Sequence, residues 1–563
     1  MLKNTVYLAL FATTLSMTTS AQTTYLPTGT EDYNLLDRLE TRSGELSPDL
    51  FLSVKPVSRK YMVRFLEKQQ ENQELSLSNL DRYNIRHAIS VSGEWAKDEN
   101  GAIDSKRPWF NNRLYKKQPD LVYVKTKDFF LSANPVLTAS GIHEINNPDG
   151  MLFTSNRGLE ARGWICKKLG FYTYFTDNQE QAPSYVADWV DTFRAVPGAD
   201  FFTRHGNTYD YLLAKGYLDF SVIKEHINIT FGYDKNNYGD GMRSLFLSDF
   251  GANYAFLRLN TRIWKLNYQN LYMELTPQLT NSINQQLPHK YATMHYLSVN
   301  ATKWLNLGLF EGVIFHRVNR YEFGYMVPII LYRQVERALG SPDNVVLGIN
   351  AKALAAKHLQ FYGQLFLDEF TSKELAAGDG YWANKFGIQF GGKYFDAFGV
   401  NNLDVQGEIN MVRPFTYAHF DSIANYTHYN QPLAHPLGAS FAEITGIVRY
   451  QPVRNLYLSL KGMYYEKGAD TASSNFGNNI FKDYDTRTPA IDGDVSHGYD
   501  LISGVKTKCA LVSLNGSYEL KENLFIDLGF THRTYSGTAA TTSTSYIQAG
   551  IRLNFVKRDY NFY

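Results

Sequence analysis

Along residues 129–139 the odd positions Phe129, Leu131, Ala133, Pro135, Leu137 and Ala139 are apolar, while Ser132, Asn134 and Thr138 occupy the other side. Successive side chains of a strand point to opposite faces, so a period of two predicts a strand with one apolar and one polar face. The pattern recurs. Ile227, Ile229, Phe231 and Tyr233 oppose Asn228, Thr230, Gly232 and Asp234, and Leu403, Val405, Ile409 and Met411 oppose Asp404, Gln406, Glu408 and Asn410. Further copies lie at Leu359, Phe361, Leu365 and Leu367, at Leu456, Leu458 and Leu460, and at the aromatic-rich end, Ile547, Ala549, Ile551, Leu553 and Phe555. From about residue 121 onward the chain therefore reads as all-β. Alternation alone does not separate a soluble sandwich or propeller from a membrane barrel.

Ahead of that region the period is helical. Thr30 is a candidate N-cap for a helix carrying Leu35, Leu36 and Leu39 on one face before Gly44. Ser58 caps a second stretch with Tyr61, Met62, Phe65 and Leu66 at helical spacing, and Ser78 with Asp81 opens a third bearing Ile85, Ala88 and Ile89. Three short amphipathic helices over residues 30–91 are too small to stand alone, so they are expected to dock at the periplasmic mouth of a barrel.

Three further features select the barrel. Residues 1–22 carry one cation, Lys3, then an apolar run at 6–12 and small residues up to Ala21, the order of a secretory signal cleaved after Ala21. Gln22 follows with no cysteine nearby, which argues against a lipid anchor. Aromatic residues make up 15% of the chain, with Tyr 40 and Phe 36, yet mean hydropathy is −0.33. No apolar run approaches the ~20 residues that a spanning helix needs. Such a chain fits an outer-membrane barrel, whose strands meet lipid with alternate residues and whose rings form interfacial girdles. At roughly 24 residues per strand and connection, the length suits about 18 antiparallel strands, with 16 and 20 as alternatives. The expected division is a signal peptide at 1–21, a periplasmic helical segment at 22–115 and the barrel at 116–563. Longer connections are expected at 177–199, where Tyr185, Trp189 and Phe193 suit a helix, and at 334–343, 414–436 and 468–497.

Charge adds little: 56 basic against 55 acidic residues give a net +1, with no field that selects nucleic acid. Cys166 and Cys509 read as small apolar strand residues more readily than as a disulfide, although export permits one. No nucleophile elbow, zinc-protease, phosphate-loop or dinucleotide motif occurs, so no enzymatic activity and no cofactor are expected. Two segments are dense in polar and aromatic groups. In 232–250, Gly239 and Gly241 permit a tight turn that gathers Asp234, Tyr238, Asp240, Arg243 and Asp249. Rings stack on apolar sugar faces and charged groups bind hydroxyls in pairs, so these are polysaccharide-binding candidates. The preferred reading of this segment is an internal charge network in the lumen. In 413–438, His419, Asp421, His428 and His435 join the candidates; their spacing matches no compact metal motif, and hydrogen-bonded histidines in a loop stiffened by Pro432 and Pro436 are preferred over metal ligands.

The peptides LPTGTEDYNLLDRLETRSGELS, KPVSRKYMVRFLEK, GDGMRSLFLSDF, LGSPDNVVLGIN and NYTHYNQPLAHPLG resemble the Wzi-type capsule-assembly family in its Bacteroidetes branch, some members of which are named for gliding motility. The resemblance runs from Leu26 to near the C-terminus. It implies an 18-stranded outer-membrane barrel with a small periplasmic helical bundle, without enzymatic activity, that helps hold capsular or other surface polysaccharide. Outer-membrane lipid is the second expected partner. The alternatives are an accessory of gliding motility or protein secretion, with envelope proteins as partners, and a diffusion porin.

Overall fold

The structure, a computed structural model, describes residues 23–562 apart from 98–102, 107, 109, 111–112, 278–287, 318–319, 492, 538–539 and 559. The expected signal at 1–21 lies outside the described residues. Eighteen antiparallel strands close into one barrel: β1 (Phe129–Glu144), β2 (Met151–Ile165), β3 (Leu169–Glu180), β4 (Thr208–Ile223), β5 (Ile227–Asp234), β6 (Tyr254–Ile263), β7 (Leu266–Leu275), β8 (Lys290–Asn300), β9 (Leu305–Phe315), β10 (Asn344–Ala355), β11 (Leu359–Glu369), β12 (Lys385–Tyr394), β13 (Leu403–Val412), β14 (Phe441–Val453), β15 (Leu456–Ala469), β16 (Val505–Lys521), β17 (Leu524–Ser536) and β18 (Thr541–Leu553). The seam closes where β18 pairs with β1, Leu553 opposite Leu137 and Tyr546 opposite Glu144.

The two-residue period maps onto the two sides of the wall. Phe231, Ile409, Ile547 and Ile551 are exposed on the outside, whereas Asn228, Thr230, Asp404, Gln406, Glu408 and Asn410 are buried within. An apolar outer band around a closed sheet is what lipid requires, because closure leaves no unpaired strand edge. Among the described residues no helix is long and apolar enough to cross a membrane. The closed antiparallel sheet with its apolar outer band is that of an outer-membrane β-barrel. Short turns such as 224–226, 264–265, 454–455 and 522–523 lie at one end and long connections at the other. The short-turn end is the periplasmic one.

Three helices cover that end: α1 (Asp32–Ser43), α2 (Arg59–Glu71) and α3 (Asn79–Ser90). Their shared core contains Leu36, Leu39, Met62, Val63, Leu66 and Ile85. The Ser58 side chain caps α2 by accepting from the Tyr61 N–H, and Ser78 with Asp81 forms a reciprocal capping box on α3. Thr30 does not cap α1: its hydroxyl turns back to the Pro27 carbonyl, and Glu31 holds the cap position without a side-chain bond. Gly44 ends α1 with φ 73°, a left-handed value that suits glycine. On the long-loop side, α4 (Ser184–Phe193) forms where Tyr185, Trp189 and Phe193 were expected on a helix, and α5 (Tyr332–Ala338) and α6 (Ser372–Ala377) follow in later connections.

The aromatic C-terminus does not finish on a strand. β18 ends at Leu553, and the following residues turn inward, so that Tyr560 and Phe562 are buried beside Trp189 and Tyr211. The outer wall is already complete at Leu553, and the terminal rings bury more apolar surface in the lumen than they would at its rim.

Candidate functional site

The periplasmic mouth is closed by charges carried on α1 and α3 and matched by strand ends. Arg38, almost fully buried, reaches Asp81 of α3 at 3.1 Å, Asp404 of β13 at 2.7 Å and Asp396 in the turn before it. Asp37 meets Lys393 at 2.6 Å and Glu40 meets Lys352 at 2.8 Å. Burial alone would raise the Asp81 carboxyl, but Arg38, the Ser78 N–H and Arg42 hold it below its usual range. Burial would likewise lower the His87 imidazole, yet its bond to Glu519 at 3.2 Å and the nearby Glu522 carboxylate bring it up to about 9. Apart from Arg38–Asp81, which ties α1 to α3, these pairs join the bundle to the barrel wall, so docking is specified by charge as well as by shape.

The lumen above the bundle is filled from the other side. Residues 235–253 descend into the barrel until Tyr238 pairs in a short antiparallel bridge with Val54, and the Gly239 N–H donates to the Ser53 carbonyl at 2.8 Å. At Gly241 a side chain would collide with the Glu408 carboxylate, which accepts the Met242 and Arg243 N–H groups at 2.7 and 3.1 Å. Residues 413–440 lie on top: the Tyr417 hydroxyl donates to the Leu245 carbonyl at 2.9 Å and the Tyr426 hydroxyl to that of Phe246. Phe246 stacks on Phe310 and Tyr238 on Tyr296, with centroids 4.7 and 4.9 Å apart. One continuous apolar core thus spans the lumen from Val54 through Leu245 to Leu437. The cavity at the seam of bundle and wall measures about 60 Å³ and one beside the C-terminal tail about 40 Å³. At roughly 10–15 Å³ of such space per water, each holds a few water molecules.

The sequence-derived candidates fall into two groups. Buried within the plug, Asp240 accepts from Ser53 at 2.8 Å and Asn350 at 3.1 Å, Tyr238 packs as described, and Arg243 pairs with Glu443 at 3.0 Å while donating to the Asn561 carbonyl of the tail. His435 also meets Glu443, at 2.9 Å. His428 accepts the Thr276 N–H at its Nδ1 and so donates from Nε2 to the Asn253 carbonyl at 2.8 Å. Burial pushes His428 down to about 4, so it stays neutral. His419 accepts the Asp421 N–H at 3.2 Å. The three histidines thus bond to different partners and do not converge on one point. Asp234, Asp249 and Asp421 are the more accessible group, half-buried at the edges of the two loops.

The outward surface above the plug includes side chains that the sequence reading did not single out. Trp382, ahead of β12, lies against Tyr484 at 5.0 Å and under the Arg487 guanidinium at 3.9 Å. His419 and exposed Phe420 pack edge-on to the same Tyr484 ring. Backbone bonds join these loops: Trp382 N–H to the Ser496 carbonyl and Phe415 N–H to that of Gly477, both 2.9 Å. The rings come from connections far apart in sequence, so no local motif announces them. Among the described residues, Glu374, Asp379 and His497 bring donor atoms within 4.8 Å of one another at this rim, a partly exposed grouping that is common without an ion. Cys166, exposed in a periplasmic turn, and Cys509, buried in the luminal core, are unpaired.

No known protein family matches the sequence, and no curated protein is similar to it. Among solved structures the chain is similar to Wzi of Escherichia coli, described as an outer-membrane protein involved in group 1 capsule assembly and a carbohydrate-binding β-barrel. That likeness has a TM-score of 0.55 at 12% identity and covers 95% of this chain and 99% of that one. OprD of Pseudomonas aeruginosa matches with TM-score 0.41 at 10% identity over 75% of this chain and 94% of its own. OccAB2 of Acinetobacter baumannii gives 0.41 at 9% over 75% and 97%. At such low identity the likeness to Wzi establishes a shared fold.

Proposed function

We propose that this barrel binds or organises capsular or related surface polysaccharide on its outward face, without enzymatic activity, as a Wzi-type protein of the Bacteroidetes branch. The observation that carries this reading is the packed lumen. A helical bundle from below, two loops from above and the C-terminal tail leave no channel-sized space among the described residues, so the working surface lies outside the barrel. The fold likeness to a barrel described as carbohydrate-binding supports it further. In this reading the chain divides into a signal at 1–21, a periplasmic segment at 22–115 and the barrel at 116–563.

The sugar contacts are assigned to the accessible rim of the candidate loops, with Asp421 beside Phe420 as the pairing of carboxylate and ring that sugar recognition uses. Asp234 and Asp249 are proposed as further contacts from the edge of the 232–250 loop. Tyr238, Asp240, Arg243, His419, His428 and His435 act beneath it by fixing the loops. The test is binding of purified full-length protein to capsular polysaccharide from its own strain. Wild type binds, Phe420→Ala and Asp421→Ala bind more weakly while staying folded, and absence of binding by wild type overturns the reading.

A further inference from the structure

The outer wall carries one interruption in its apolar band. Followed through the strand register, one row of outward residues runs Ile229, Leu259, Asn270, His295, Glu311, Leu347, Leu367. Asn270, His295 and Glu311 point outward because their strand neighbours Leu271, Met294 and Phe310 lie in the luminal core. A polar triplet facing hydrocarbon is costly. Yet all three are buried, while Leu347 in the same row is exposed.

The cover is the β9–β10 connection, which folds down along the outside of β7–β9. Tyr332 lies on the His295 ring with centroids 4.0 Å apart, and the Arg333 N–H donates to Glu311 at 3.2 Å. Asn270 and Tyr268 both donate to the Pro328 carbonyl, at 2.9 and 2.6 Å, and Tyr272 donates to that of Met326 at 3.0 Å. The polar residues of the wall are therefore spent on holding the segment. Its outer side is apolar over residues 323–331, where Ile329 is 84% exposed, Phe323 78% and Leu331 70%, with Met326 and Val327 beside them; the polar Arg333, Gln334 and Arg337 are exposed beyond it on α5.

We propose that residues 323–331 form a lipid-embedded patch, in which Phe323, Ile329 and Leu331 face the acyl chains of the membrane in place of the barrel wall. The occupant follows from position, since the segment lies over a row flanked by half-buried Leu259 on one side and exposed Leu347 on the other, within the apolar band of the outer wall. The inference is independent of polysaccharide binding. To test it, the full chain carrying Cys166→Ser and Cys509→Ala is spin-labelled at Ile329→Cys or Leu331→Cys and reconstituted in phosphatidylcholine vesicles. Leu347→Cys serves as the lipid reference and His205→Cys, in an outer hairpin, as the aqueous one. The two label sites are read separately, each after its far-UV spectrum confirms folding. The proposal expects both labels to match Leu347, open to oxygen and closed to a water-soluble nickel chelate. Chelate access equal to that at His205 overturns it in favour of a water-exposed loop, and exclusion of both reagents overturns it in favour of a second copy or another protein over the patch.

Discussion

Replacing Arg38 by alanine tests whether charge holds the bundle in the periplasmic mouth. The substitution leaves Asp81, Asp396 and Asp404 buried without their shared cation. Breaking a buried ion pair costs about 3–5 kcal/mol. Arg42 stays 2.8 Å from Asp81 and 3.3 Å from Asp396, which compensates part of the loss and places the effect near the lower bound. At about 1.4 kcal/mol per tenfold, the undocked population rises by roughly a hundredfold. Limited proteolysis within residues 23–97 reads that population where reclosing is faster than cleavage. Arg38→Lys, which keeps a charge but not the fork, is expected to fall between wild type and alanine. Adding Asp396→Asn and Asp404→Asn to Arg38→Ala restores much of the protection, because the stranded charges are then gone. Cleavage of folded Arg38→Ala at the wild-type rate would refute the reasoning.

In planar bilayers the wild-type protein is expected to be silent, whereas Arg243→Ala, which removes the guanidinium paired with Glu443 and one of the donors to the Asn561 carbonyl of the tail, produces intermittent openings; steady porin-like conductance from wild type would count against a packed lumen. The His87 imidazole has its folded value raised to about 9 from an ordinary ~6.5. Its contribution to docking is therefore complete below about pH 6.5 and lost as pH rises through about 9. Protease protection should fall across that window in wild type and lose this step in His87→Gln. Ser78→Ala removes the capping box of α3 and should cost the bundle about 1 kcal/mol, read as a small rise in the same cleavage assay.

Much of the architecture is legible in the sequence because a barrel wall has two environments and each residue must suit one. Ile227 to Asp234 alternates cleanly for this reason, and chain length brackets the strand count around 18 without fixing it. Ser58 and Ser78 announce their helices because capping is local, while Thr30 misleads because a nearby carbonyl wins its hydroxyl. What periodicity does not report is what lies against a face. Asp404 and Glu408 read equally well as facing water or a plug, and only the tertiary structure pairs them with Arg38 and the loop at 242–243. The same limit hides the segment at 321–339. Asn270, His295 and Glu311 break the outward pattern of their strands, a signal visible in retrospect, but the residues that cover them lie in a connection with no period of its own. Phe555 reads as part of the last strand, which stops at Leu553, because aromatic composition does not distinguish a membrane girdle from a luminal core.

The central claim, that the closed barrel retains polysaccharide at the cell surface, is tested most directly by partitioning capsular polysaccharide between cells and medium in a strain lacking the protein. The account predicts that total polymer is unchanged while most of it shifts to the medium, and that the wild-type gene restores retention. Cell-associated polysaccharide at the wild-type level in the deletion strain would contradict it.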